Sequence, residues 1–236
     1  MKTILHKADS RGHANHGWLD SHHSFSFANY YDPSRMNFGL LRVLNDDIVQ
    51  GGKGFGTHPH DNMEIVSIPL KGELEHRDNT GRHEIIKTND VQIMSAGSGI
   101  AHSEYNASKT DAVNFLQIWV FPKVKNIAPR YNQKTFKPED RVNTLQVVVS
   151  PDENNGAIYI NQDAWFSLGS LKKGFQRDYE IKKSSNGVYV FVIEGDVTIN
   201  GQKLNKRDGF GVWETDKLSV VADADAEILL MDVPLN

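Results

Sequence analysis

At 236 residues and a formal net charge of −4, the chain is long enough for one large domain or two of ordinary size. Neither half has the basic excess that binding a phosphate backbone relies on: up to Val120 there are 11 Lys and Arg against 14 Asp and Glu, and beyond it 15 against 16. The absence of cysteine excludes disulfides, thiolate metal sites and a thiol nucleophile, and leaves imidazole and carboxylate as the strong metal ligands.

The opening MKTILHKAD has no signal-peptide core, and no stretch approaches the roughly 20 apolar residues of a membrane span. A cytoplasmic protein with no membrane and no direct nucleic-acid contact is expected. Residues 1–37 read as an arm, in which His13, His16, His22 and His23 are expected as loop residues that pack it, with a second metal site as the alternative. From Phe38 the chain becomes a series of short β-branched and aromatic runs broken by Gly, Asn and Asp. Strands are predicted at Phe38–Leu44, Met63–Leu70, Glu73–Arg77, His83–Lys87, Val91–Met94, Ala101–Tyr105 and Val113–Phe121. A polar stretch over 122–143, with Pro122, Pro129 and Pro138, reads as a linker between a domain over 1–121 and one over 144–236. In the latter, strands are predicted at Leu145–Val149, Trp165–Leu168, Val188–Ile193, Val197–Asn200, Phe210–Trp213 and Glu227–Val233.

The two parts share a layout. Gly72, turn Gly81 and Asp90 in the first recur as Gly195, turn Gly201 and Asp208 in the second, each set spaced by alternating strands, which points to a duplicated β-sandwich or barrel.

All ten histidines precede residue 103, so imidazole chemistry belongs to the first part. Side chains two apart on a strand share a face, which groups His58 with His60 and His102 with Glu104. Two such strands facing across a small barrel would gather three imidazoles and a carboxylate, a set suited to Fe, Mn, Co, Ni, Cu or Zn and too rich in nitrogen for Ca or Mg. His76 and His83 read as hydrogen-bonded strand residues, His76 with a supporting role toward the site as the alternative. In the second part the positions matching the ligands by offset are Ile181, Lys183, Val220 and Ala222, so that barrel is expected to be structural. Phe115, Gln117 and Trp119 face opposite to Leu116, Ile118 and Val120, and either set can be the inward one.

His58-x-His60-x3-Glu64 followed by Gly72 looks like the first cupin motif, and Gly97-x-Gly99-x2-His102-x3-Asn106 looks like the second, with Gly97 where proline is usual. Together with FSFANYYDP, AGSGIAHSEYN and QIWVFP, these segments resemble the pirins, specifically the bacterial pirin-like bicupins described as quercetin 2,3-dioxygenases, over essentially the whole chain. The resemblance implies two antiparallel β-barrel, jelly-roll domains in tandem, with one divalent transition metal held by His58, His60, His102 and Glu104. Ferrous iron is the first expectation, and zinc, nickel, copper, manganese and cobalt also suit the set. It implies cleavage of a flavonol's heterocyclic ring by dioxygen with release of carbon monoxide, Glu104 acting as ligand and candidate general base. Glu64, the carboxylate ligand in many other cupins, is the alternative ligand or base, and the spacing permits both. The other functional readings are a metal-dependent regulatory module with a protein partner, and an enzyme of this fold with another substrate.

Overall fold

A computed structural model describes residues 1–236: 22 strands and two short 3₁₀ turns, Ala8–Ser10 and Pro138–Arg141. No helix is long and apolar enough to cross a membrane. The strands form two sandwiches, each a seven-stranded sheet against a four-stranded one. In the first sandwich the larger sheet runs Arg130–Thr135, Asp90–Ser95, Glu64–Lys71, Val113–Val120, Leu41–Val49, Leu19–His23, Gly12–Asn15. Its smaller sheet runs Gly54–His60, Ile100–Asn106, Glu73–Asp78, His83–Lys87. In the second, the larger sheet runs Lys2–His6, Gly209–Trp213, Asn186–Glu194, Ala226–Pro234, Trp165–Leu171, Gln146–Ser150, Ile158–Tyr159. Gln176–Glu180, Lys217–Ala222, Val197–Ile199 and Gln202–Leu204 make its smaller sheet.

Both faces of the central strands of the larger sheets are buried. The outward set of Val113–Val120, namely Leu116, Ile118 and Val120, joins Val66, Ile68, Phe166, Phe191 and Met231 in a 25-residue apolar cluster drawn from both sandwiches. At roughly 1.5–3 kcal/mol per fully buried large side chain, this seam fastens the two halves into one unit. Inside the second sandwich a further 16 apolar residues, Val220 and Ala222 among them, fill the interior. The interior of the first is different. Its apolar residues fall into separate groups of six and four, while Ser67, His102, Glu104 and Gln117 are buried polar side chains.

Two segments lie where the pattern of the chain did not put them. Arg130–Thr135, within the expected linker, pairs with Asp90–Ser95 and is an edge strand of the first sandwich. Conversely Lys2–His6, within the expected arm, crosses to pair with Gly209–Trp213 in the second. Each sandwich thus takes its edge strand from the segment that leads into the other. The repeated aspartates explain the docking. Asp90 accepts the N–H of Lys87 (2.8 Å) and Asp208 that of Asn205 (3.0 Å), the same turn contact in both copies. Their free lone pairs then receive the arriving segment, Thr135 Oγ1 at Asp90 and the Ala8 N–H at Asp208. The arm also holds more structure than expected: Gly12–Asn15 and Leu19–His23 form a hairpin, so His13, His22 and His23 are strand residues rather than loop residues.

Candidate metal centre

His58 and His60 lie on Gly54–His60 and His102 on Ile100–Asn106. The two strands are hydrogen-bonded neighbours in one sheet, not partners facing across the barrel, and His58 is directly opposite His102. Antiparallel residues in register place their Cβ atoms about 4.5–5.5 Å apart, which is why adjacency gathers the rings. The pairing skips a residue between His102 and Glu104, so that Glu104 meets Phe55 and the strand bends at Gly56 and Thr57. One ligand-capable atom from each of His58, His60 and His102 falls within a mutual 4.8 Å, and the ring centroids are 4.5–4.9 Å apart.

The nitrogens are prepared for an ion. His58 Nδ1 is 2.8 Å from the Gly56 carbonyl oxygen and donates to it, which leaves Nε2 with its lone pair free. His102 Nε2 is buried with no hydrogen-bond partner. Burial, with the neighbouring histidines adding to it, pushes His60 down to about 4 and His102 down to about 2, so these two imidazoles are neutral near pH 7. A buried orphan nitrogen within an all-imidazole cluster fits a divalent transition metal.

Glu104 is fully buried on the same face of its strand as His102, but its carboxylate stays outside the 4.8 Å group. It accepts the Ser67 hydroxyl (3.2 Å) and the Gln117 amide (2.8 Å), a cross-strand pair on the opposite sheet. Burial pushes its carboxyl up to about 7 against these two bonds. Glu64 is not brought to the histidines. Its carboxylate faces the second sandwich, where it accepts the Ser95 hydroxyl (2.9 Å) and the Asn161 N–H (3.1 Å), because alternation along Glu64–Lys71 sends Glu64 and Ser67 to opposite faces.

Beside the cluster lies a cavity of about 260 Å³, with Phe27, Phe55 and Trp119 on its apolar side and Ser21, Asn45 and Asp47 on its polar side. Gln117 and Trp119 are therefore the inward set of their strand. Trp119 stands edge-on to His60 (4.9 Å, 85°), and Phe27 edge-on to Trp119 (5.4 Å, 86°). Ser67 lies in the predicted strand Met63–Leu70, and Gln117 and Trp119 lie in QIWVFP, without a role assigned there. Strand parity grouped the last two but left open which way they face. His13 and His22 stack on each other with Asp20 at the exposed edge of the hairpin, apart from this cavity, whereas His16 and His23 line it. His83 bonds Glu75 (2.6 Å) at the surface.

Comparison with known proteins agrees with the fold. A sequence model described as Pirin matches residues 5–120, and one described as the quercetinase C-terminal cupin domain matches residues 147–233. The chain is 48% identical to the quercetin 2,3-dioxygenase of Escherichia coli strain K12 over 230 residues, covering 98% of each chain. It is 40% identical to a pirin-like protein of Caulobacter vibrioides over 225 residues, 95% of this chain and 96% of that one. It superimposes with a TM-score of 0.94 on the crystal structure of the Escherichia coli bacterial pirin YhhW in complex with nickel(II), at 47% identity and 99% coverage of both.

Proposed function

The chain belongs to the pirin family, and from that premise we propose that it is a metal-dependent dioxygenase that opens the heterocyclic ring of flavonols such as quercetin with dioxygen and releases carbon monoxide. The observation that carries the reading is the cluster of three imidazoles, of which His58 and His60 line an aromatic-walled cavity and His102 is buried behind them. His58, His60 and His102 would hold one divalent ion, with Glu104 as the carboxylate of the set. The nickel(II) complex of the similar pirin supports a divalent transition metal, and ferrous iron suits the same donors. Bound there, the ion supplies Lewis acidity toward an ionisable hydroxyl and a site for dioxygen.

The chain's own residues supply the rest. Trp119, Phe27 and Phe55 give a flat ring apolar surface and exclude water from it. Glu104, with its carboxyl pushed up to about 7, would in its ionised form serve as the base toward a substrate hydroxyl. Ser67 and Gln117 hold that carboxylate in place.

The test is an aerobic assay on metal-loaded protein whose stoichiometry is checked by elemental analysis. One ion per chain, oxygen uptake and bleaching of quercetin are expected, with no reaction from a flavone that lacks the 3-hydroxyl, since that oxygen is both anchor and ionising group. Loss of activity on chelation and recovery with ferrous iron complete the pattern. Well-metallated protein that leaves several flavonols untouched would overturn the reading.

A further inference from the structure

His102 does not stand alone on its inner side. Its Nδ1 lies 3.3 Å from Nδ1 of His76, and His76 Nε2 lies 3.0 Å from Asp78 Oδ2. Both side chains of that second pair are sealed, with 0% and 1% exposure. The strand Glu73–Asp78 is the neighbour of Ile100–Asn106 on the side away from His58, with Asp78 opposite His102 and His76 opposite Glu104. The other carboxylate oxygen of Asp78 takes the Thr80 N–H (2.9 Å) and the Thr80 hydroxyl (2.5 Å), which pins the group in its turn. Tyr131, from the edge strand Arg130–Thr135, packs its ring 4.8 Å from that of His76.

The hydrogens along this row follow from donor and acceptor chemistry. A carboxylate only accepts, so His76 Nε2 carries the proton and donates it to Asp78. A neutral imidazole protonated at Nε2 has its lone pair at Nδ1, so His76 accepts from His102 Nδ1–H. His102, a member of the three-histidine group, is then left with its lone pair at Nε2, a buried atom without a hydrogen-bond partner.

We infer that Asp78 and His76 are positioning residues, which fix His102 in the one tautomer able to ligate a metal ion and hold its ring in place before the ion arrives. The inference rests on the reading of the three histidines as metal ligands. Neither residue touches the ion or the substrate. Their effect is on affinity, because a His102 protonated at Nε2 would have to exchange its proton before binding.

The test measures cobalt(II) affinity of the full chain by competition with a chromophoric chelator, together with the imidazole ¹⁵N shifts of the metal-free protein. Asp78→Asn keeps the size of the side chain but can turn an amide donor toward His76 and so reverse the row. Its affinity is expected to fall by about 10- to 100-fold, with the His102 proton displaced from Nδ1. His76→Phe, which removes the acceptor, should weaken binding similarly. His76→Gln should restore most of the affinity, since its carbonyl can accept from His102 while its amide donates to Asp78. Affinity in Asp78→Asn and His76→Phe within about twofold of the parent, or a metal-free parent with the His102 proton on Nε2, would overturn the proposal. If Asp78→Asn does not fold, the parent tautomer and the two His76 variants decide. A His58→Ala, His60→Ala double variant that still binds cobalt(II) would instead sink the metal-site reading beneath it.

Discussion

Glu64 and Glu104 are both buried carboxyls pushed up to about 7, first by burial, and composition cannot tell them apart. Their surroundings do: Glu104 shares its strand face with His102, and Glu64 looks into the seam between the sandwiches. Glu104→Gln is expected to lower metal affinity at least tenfold or abolish turnover, whereas Glu64→Gln, whose amide oxygen can still accept from Asn161 and Ser95, should stay within about twofold in both. The opposite ranking in a metal competition assay would return the role to Glu64. Asp47, on the polar side of the cavity, is pushed up to about 7 by burial, with the Asp46 charge adding to this and the Ser21 hydroxyl partly offsetting it. A carboxyl raised in the folded state gives a contribution to stability that is fully present below its unfolded value of 3.8 and lost as pH rises through about 7. Between pH 5 and pH 8 the melting temperature of metal-free Asp47→Asn should therefore rise relative to that of the parent, a difference that removes the contribution of the buried histidines, whose lowered values act in the opposite sense. Equal slopes by calorimetry would contradict the assignment.

The strands that carry the three histidines are joined to their neighbours by turns that ordinary residues cannot make. Gly97 sits at φ +51°, and a Cβ there would come 2.1 Å from the Ile127 carbonyl oxygen. This accounts for glycine where cupins usually carry proline, since proline is locked near −65°. Gly97→Ala should cost about 2 kcal/mol from strain alone, seen as a fall of roughly 4–8 °C in melting temperature for a chain of this size. An unchanged melting temperature would show that the turn can relax. Lys217–Ala222 alternates buried residues with more exposed ones and was still missed, but two other missed strands are polar. Gln176–Glu180 buries only Tyr179, and Arg130–Thr135 has no fully buried residue, so neither shows the apolar alternation that marks a strand. Both are recruited by the edge of an existing sheet.

Reciprocal edge strands make the molecule one cooperative object. Lys2–His6 covers the open edge at Gly209–Trp213, and Ile4 and Leu5 pack onto separate apolar clusters. Deleting residues 1–6 should expose that edge and lower the melting temperature by roughly 5–10 °C, while metal affinity stays within about twofold because His58, His60 and His102 lie in the other sandwich. A deletion variant with parental stability would mean that the exchanged strand contributes little.

What the sequence determined by itself was the kind of structure and the kind of chemistry. Turn glycines and alternating strands declared an all-β duplicated fold. The i, i+2 pairs His58–His60 and His102–Glu104, in a chain with no cysteine and no histidine after residue 102, directed the search for metal chemistry to one sandwich and a few residues. Only the tertiary structure decided the rest, because these choices depend on which strands lie side by side. Adjacency of Gly54–His60 and Ile100–Asn106 brought the three rings together, and the neighbouring strand Glu73–Asp78 set His76 behind His102. The opposing sheet supplied Ser67 and Gln117 to Glu104. Strand parity states which residues share a face but not which way that face turns, and burial against the second sandwich is what turned Glu64 away and Trp119 inward.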